Sequence, residues 1–204
     1  MSHKRFLLLF SSLIAAFLIC MNCFAEGEFV QGIRTDSLYI NESLGIRIDL
    51  DENFVMATDD EISQLMELGA NVIMDSEDAK RMMDISNITQ LYDMLATNPS
   101  EGSTIFVLAE KPLLSGMTQK QYIDLSINQA KKIFDNVDVE QDTIELCGKD
   151  WDIMAYNLNV SGIDLLYYSL VTKVGDRFAT LTMSGLSEES ILNMIGLISC
   201  YDRN

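Results

Sequence analysis

The sequence predicts an α+β protein in which an antiparallel β-sheet carries helices between its hairpins. Three observations predict it: an alternating strand near the start of the domain, helices that begin with capping boxes, and a C-terminal series of strands separated by tight turns. The chain has 204 residues, a length that suits one domain once a short N-terminal segment is set aside.

The first elements follow from local patterns between residues 44 and 85. Apolar and polar residues alternate from Leu44 to Leu50, as in a half-buried strand, and Asn53 to Met56 predicts a short second strand. Thr58 and Glu61 have the spacing of a capping box, so a helix is expected to begin there. A second short helix is predicted from Asp75 to Ile85.

The middle of the chain predicts a hairpin followed by a long helix. Residues 89–97 and 103–110 are apolar-rich and are separated by the turn-forming sequence NPSEG. The run Thr104 to Ala109 is apolar almost without a break, which is typical of a central strand covered on both faces. Thr118 and Gln121 form a second capping box, and apolar residues recur after it at helical spacing.

The C-terminal part predicts four strands and a last helix. The strands are DTIELC, WDIMAYNLNV, DLLYYSLVTKV and RFATLTMS, and the turns between them include Gly148-Lys149 and Gly175-Asp176. The helix is expected to run from Glu188 to about Cys200. Its predicted inward residues are Ile191, Leu192, Ile195 and Ile198.

The N-terminus has the pattern of an export signal. Lys4 and Arg5 precede an apolar stretch, and small residues come before a cut after Ala25. The predicted organisation is therefore a signal peptide at residues 1–25, a flexible leader at 26–38 and a single domain at 39–204. An uncleaved N-terminal anchor and a lipoprotein remain alternatives. The protein is expected to be secreted or associated with the cell surface.

Charge and histidine content exclude several functions. The chain has 31 acidic and 14 basic residues, a net charge of −17, which repels nucleic acid and anionic membrane surfaces. The sole histidine, His3, lies in the predicted signal, so a mature chain has no histidine for a catalytic triad or a metal site. We predict no catalytic residue, no metal site and no cofactor, no membrane insertion after signal cleavage, and a monomer or weak oligomer.

Two cysteines remain after the predicted cleavage. Cys147 and Cys200 can form one disulfide outside the cytoplasm, and the sequence leaves open whether they do so or remain as two buried thiols.

Several motifs together resemble a known group of proteins. The pattern Tyr39-x-Asn41-x-x-x-Gly45-Ile46, then ATDDEI, YDMLA, the MTQKQYIDL helix and a final strand pair with a helix resembles small exported proteins of Gram-positive clostridia with a PsbP-like fold. The resemblance covers Tyr39 to Cys200. It implies an α/β/α sandwich around an antiparallel sheet, and the non-enzymatic binding or assembly roles of photosystem accessory subunits. It supplies no catalytic residue.

Four aromatic residues are the candidates for a ligand pocket: Trp151, Tyr156, Tyr167 and Tyr168. Tyrosine and tryptophan are also common on half-buried sheet faces, so core packing is the competing interpretation.

One stretch of the sequence partly matches a calcium-binding loop. Asp49, Asp51 and Asn53 match its opening, but Phe54 and Asp60 stand where glycine and glutamate are needed. The pattern therefore favours the end of a strand followed by a turn and a helix cap.

The sequence as a whole predicts an exported, non-catalytic binding or assembly module. Its partner would be an envelope or extracellular protein that the sequence does not identify. The alternatives are a small-ligand carrier and a carboxylate-dependent hydrolase, because paired carboxylates can catalyse without histidine.

Overall fold

The computed structural model describes residues 28–64, 89–112, 114–133, 137–160 and 163–201. Within these residues the chain forms two antiparallel β-sheets and two helices whose ends are both described. In chain order the elements are β1 Ile33–Arg34, β2 Leu38–Asn41, β3 Ile46–Asp49, β4 Val55–Met56, β5 Gln90–Asn98, β6 Ser103–Glu110, α1 Gln119–Ile133, β7 Val139–Leu146, β8 Lys149–Val160, β9 Ile163–Val174, β10 Arg177–Gly185, α2 Glu188–Gly196 and β11 Ile198–Cys200.

The large sheet has seven strands in the order β4-β5-β6-β10-β9-β8-β7. Strands β7 to β10 follow one another as antiparallel hairpins, and β10 returns to pair with β6. The β7–β8 turn consists of Cys147 and Gly148, both with positive φ (54° and 72°), as a two-residue primed turn requires. Strand β7 ends at Leu146, directly before the turn, and it forms one edge of the sheet.

The small sheet has four strands in the order β1-β2-β3-β11. The last strand of the chain thus pairs with one of the first, with Ile198 opposite Ile48 and Cys200 opposite Ile46. Local sequence patterns cannot indicate such a pairing, because its partners are about 150 residues apart in the chain.

One hydrophobic core joins the two sheets and α2. It contains side chains from β2 and β3, from the central strands of the large sheet, and from the inner face of α2. Burying this much apolar surface is the main favourable term in folding. Its members include Tyr39, Ile46, Ile48, Ile105, Val107, Trp151, Ile153, Leu181, Met183, Ile191 and Met194.

Helix α1 packs on the opposite face of the large sheet. Ile123 and Ile127 form a second apolar cluster with Met154, Val171 and Phe178 of the sheet. Thr118 and Gln121 begin this helix with the predicted reciprocal cap: the main-chain N–H of Thr118 donates to Oε1 of Gln121 at 2.9 Å, and that of Gln121 to Oγ1 of Thr118 at 3.3 Å.

The predicted fold class is wrong. The protein is mostly β, with two packed sheets of four and seven strands, and it is not an α/β/α sandwich with one helix-flanked sheet. The error arises because the alternation of each strand reports burial on one face and says nothing about which sheet the strand joins.

The last predicted helix is also too long. Helix α2 ends at Gly196, and Ile198 to Cys200 continue as strand β11. Of its predicted inward residues, Ile191 is buried, whereas Leu192 is 66% exposed and Ile195 is 37% exposed. Met194 fills the position that the pattern assigned to its neighbours.

Several local predictions are confirmed. Leu44, Ile46, Ile48 and Leu50 are all buried, as their alternation indicates. The hairpin of β5 and β6 is present. Strand β6 lies between β5 and β10, as predicted for a central strand, but only one of its faces is fully buried and the other is half-buried. The capping box at Thr58 is also present, because its main-chain N–H donates to Oε2 of Glu61 at 2.8 Å.

Part of the predicted leader packs against the domain. Phe29 is a core residue, and β1 pairs with β2. The predicted signal at 1–25, the predicted helix at 75–85 and the part after residue 64 of the helix predicted to begin at Thr58 lie outside the described residues. Among the residues that are described, no helix has the length and hydropathy needed to cross a bilayer.

Candidate functional site

A groove lies between α2 and the outer strands β7, β8 and β9. Its volume is about 670 Å³, which lies in the range of small-ligand sites. The groove is lined on one side by residues of α2 and on the other by residues at the start of β7 and within β8 and β9. Its lining residues are Asp138, Glu140, Ala155, Tyr156, Asn157, Leu166, Tyr167, Tyr168, Glu188, Ile191, Leu192 and Ile195.

Helix α2 supplies the apolar wall of the groove. Ser187 caps the helix by accepting a hydrogen bond from the main-chain N–H of Ser190, and Ile191 and Met194 anchor it in the core. This orientation leaves the side chains of Leu192 and Ile195 at the groove, with large exposed fractions. Apolar side chains that gather in a concave site are a feature of binding surfaces.

The rim of the groove is acidic. Asp138 and Glu140 lie at the start of the edge strand β7, and Glu188 lies in the first turn of α2. The lining residues include no lysine or arginine. With an overall net charge of −17, this rim favours cationic groups.

The strand period separates the three candidate tyrosines. Tyr168 lies opposite Ala155 and contacts the core between the sheets, on the same side as α2. Tyr156 packs against the α1 cluster, and its ring stacks on that of Tyr167 with a centroid distance of 5.4 Å. Tyr156 and Tyr167 therefore contribute to the groove floor with their main chain, because neighbouring strand residues point to opposite faces.

The fourth candidate, Trp151, lies apart from the groove. Its side chain is fully buried between the sheets, and its indole Nε1–H donates to the main-chain oxygen of Leu146 at 3.2 Å. A buried tryptophan with its polar atom satisfied is a packing residue.

Burial raises the pKa values of several tyrosines. Burial and then the charge of Asp93 hold the pKa of Tyr39 well above its usual value. Burial and then Glu110, which accepts a hydrogen bond from Tyr122 at 2.8 Å, raise the pKa of Tyr122. Burial is also the main cause of the raised pKa of Tyr156.

We expect stability to fall as the pH rises above about 10, the ordinary tyrosine pKa. Above that value the unfolded chain releases protons that the folded protein keeps, so each such tyrosine lowers the free energy of unfolding by about 1.4 kcal/mol per pH unit. Urea unfolding between pH 8 and pH 11 measures the slope. Tyr39→Phe should reduce the slope by the contribution of one tyrosine, and a flat profile would contradict the prediction.

The disulfide candidates lie within bonding distance. Cys147 and Cys200 form a disulfide with a Cα–Cα distance of 5.1 Å. The bond joins the β7–β8 turn of the large sheet to β11 of the small sheet. It therefore links the two sheets near the end of the strand that carries the acidic rim.

Asp93 is a buried carboxylate that was not predicted from the sequence. Its side chain is 1% exposed and accepts hydrogen bonds from the hydroxyl of Tyr39 at 2.5 Å and Nδ2 of Asn41 at 2.8 Å. The main-chain N–H of Gly32 also donates to it, at 3.0 and 3.1 Å to its two oxygens. A β-bulge next to Asp93 interrupts the pairing of β5 with β6. The signal in the sequence is one aspartate among the apolar residues in the middle of β5.

The residues of the calcium-like pattern have other partners. Asp49 accepts hydrogen bonds from the guanidinium of Arg47 at 2.6 and 2.7 Å, and Asp51 accepts one from the main-chain N–H of Asn53 at 2.8 Å. Phe54 is buried. Among the described residues no group of three or more Asp, Glu, Cys or His side chains is placed to hold a metal.

No family model matches the chain, and no curated protein sequence matches it. Solved structures that resemble it include a Pseudomonas aeruginosa protein of unknown function (TM-score 0.38, 10% identity) and a Bacteroides thetaiotaomicron protein (TM-score 0.43, 9% identity). A third is LpqN of Mycobacterium tuberculosis, described as involved in cell envelope biogenesis (TM-score 0.43, 7% identity).

The extent of these matches differs. They cover 46%, 83% and 77% of this chain, and 65%, 50% and 83% of the three proteins, respectively. This chain therefore spans about two thirds of the first protein and half of the second.

Proposed function

We propose that the protein is an exported, non-catalytic binding module, and that its groove holds a basic, partly apolar segment of another protein. The observation that carries this proposal is the groove itself, which is lined both by exposed apolar side chains of α2 and by carboxylates. Leu192 and Ile195 offer apolar surface, and Asp138, Glu140 and Glu188 surround it without a basic residue among the lining residues.

The two parts of the groove have different physical roles. Burial of an exposed leucine or isoleucine side chain contributes about 1.5–3 kcal/mol, so Leu192 and Ile195 would supply affinity. Rim carboxylates mainly attract and orient a cationic partner, and their effect weakens as salt increases. A segment that carries both basic and apolar side chains satisfies both parts.

Two features support export. The N-terminal segment, which lies outside the described residues, has the charge and apolar pattern of a signal peptide. The bond between Cys147 and Cys200 suits an oxidising compartment.

Charge reversal at Glu188 tests the groove. Selection from a displayed library of random peptides should enrich basic sequences with apolar residues, and Glu188→Lys should weaken their binding about tenfold, since 1.4 kcal/mol is one decade in Kd. Glu189→Lys is the matched control, because Glu189 shares the first turn of α2 but lies outside the groove lining. Fluorescence anisotropy measures both variants at low salt.

Two outcomes would contradict the proposal. The selected peptides could lack basic residues, or Glu188→Lys and Glu189→Lys could weaken binding equally. A small amine that displaces every peptide and binds more tightly would favour the small-ligand carrier instead. The alternative of a carboxylate-dependent hydrolase rests on the sequence alone.

A further inference from the structure

The outer edge of β7 is a long strand edge with exposed side chains. It ends the large sheet, runs for eight residues, and is exposed at every position from Glu140 to Glu145. The strand at the other end of the sheet, β4, has two residues. Strand edges of this length present main-chain donors and acceptors to another chain.

The register of the β7–β8 hairpin identifies the outward main-chain groups. Leu146 and Lys149 close a two-residue turn and so exchange main-chain hydrogen bonds, after which bonded and non-bonded pairs alternate. The N–H and C=O groups of Gln141, Thr143 and Glu145 therefore point away from β8. In agreement, the N–H of Thr143 does not bond β8 but donates to the side chain of Asp142 at 2.8 Å, a bond that an added strand would replace.

The same edge borders the groove. Glu140 lies opposite Ala155, and both residues line the groove. Asp142 and Ile144 follow on that face of β7, because side chains of alternate residues share a face. Burial and then the charge of Asp142 raise the pKa of Tyr168, which lines the groove as well.

We propose that the partner segment binds as an added strand along the outer edge of β7, with its alternate side chains directed to the groove side. This inference rests on the proposed function and specifies how the segment binds. Its groove-side residues would be basic opposite Glu140 and Asp142, and apolar opposite Ile144, which is 43% exposed. The expected partner motif is two basic residues and one apolar residue at alternate positions of an extended segment.

Charge decides between a basic partner and a second copy of this chain. An antiparallel pair of two β7 strands would bring Glu140, Asp142 and Glu145 of each copy near the same carboxylates of the other, which is destabilising. Charged edges prevent pairing with like strands. The same carboxylates attract a strand of opposite charge.

The first test uses a defined peptide with acetylated and amidated ends, made in both orders: Thr-Lys-Thr-Lys-Thr-Val-Thr matches a parallel strand, and Thr-Val-Thr-Lys-Thr-Lys-Thr matches an antiparallel one. Added to the full chain, one of the two should bind with a Kd of about 100 µM or tighter. A peptide with glutamate in place of lysine should not bind, and neither should one of the same composition without the alternation. Amide hydrogen exchange by NMR should slow about tenfold at Gln141, Thr143 and Glu145. The amides of Glu140, Asp142 and Ile144, already bonded to β8, should change much less.

The second test removes one outward donor. Thr143→Pro lacks the N–H of Thr143 but keeps the ladder to β8, since proline is tolerated at the outer edge of a sheet. Thr143→Pro should raise the Kd of the peptide about tenfold. Thr143→Val keeps the N–H and should leave the Kd unchanged. If Thr143→Pro fails to fold, N-methylated peptides provide the same test. Methylation of one alternate set of residues should abolish binding, and methylation of the other set should be tolerated.

The outcomes separate this inference from the proposed function. Peptides that bind in a Glu188-dependent way without slowing exchange at Gln141 and Thr143 would overturn strand addition and leave the groove proposal standing. Equal effects of the two sets of N-methylated peptides would also overturn strand addition. Failure of both defined peptides to bind, while selected basic peptides do bind, overturns the alternating motif. Self-association through β7 at low salt would indicate a second copy as the occupant and overturn it too.

Discussion

Replacing Asp93 with alanine is expected to lower the free energy of unfolding by about 3–5 kcal/mol. The carboxylate is buried and accepts hydrogen bonds from Gly32, Tyr39 and Asn41. Its removal takes the carboxylate acceptor from these donors, although Asn41 keeps its bond to the main-chain oxygen of Val30, and each buried group left unsatisfied costs about 1–3 kcal/mol. The N-terminal segment should detach first, because these bonds hold it against β5.

Urea unfolding of the Asp93→Ala variant measures this loss. Asp36→Ala is the matched control, because Asp36 is exposed in the loop between β1 and β2 and should change stability by less than about 0.5 kcal/mol. Asp93→Asn keeps the shape but places an amide group against three donors, so it should also destabilise. Wild-type stability in either Asp93 variant would show that the carboxylate does not hold the segment.

Strands and helix starts could be predicted because their causes are local. The burial of Leu44, Ile46 and Ile48 follows from a period of two residues. The caps at Thr58 and Thr118 each need one partner three residues away.

Which of the two sheets a strand joins could not be predicted, because the strand it pairs with can lie far away in the sequence. Nothing near Ile198 indicates that β11 pairs with β3 rather than extending α2. The donors to Asp93 likewise come from residues 52 to 61 positions away. The apolar character of Leu192 and Ile195 suited a core helix, but in the structure both side chains lie at the groove and are exposed.

The candidate site was partly predictable. Adjacent residues of a strand face opposite sides, so Tyr167 and Tyr168 cannot both direct their rings into one pocket, and the period itself indicates this. The acidic rim could not be predicted, because Asp138 and Glu188 are 50 positions apart and meet only when α2 folds over the sheet.

Reduction of the disulfide between Cys147 and Cys200 is expected to lower the free energy of unfolding by about 4 kcal/mol. The bond closes a loop with a sequence separation of 53, and the chain-entropy model gives a value of that size for such a loop. Without the bond, structure should be lost first at β11. Strand β11 has three residues and pairs with β3 alone, so without the bond its amides should exchange faster than those of the large sheet.

The double variant Cys147→Ser, Cys200→Ser separates the bond from other effects of the reductant. Its stability should match that of the reduced wild-type protein and should not change when dithiothreitol is added. Because β11 directly follows α2, peptide binding at the groove should weaken in the double variant more than in Leu125→Ser, a change at an exposed position of α1. Equal stability of the oxidised and reduced proteins would mean that core packing alone holds the two sheets together.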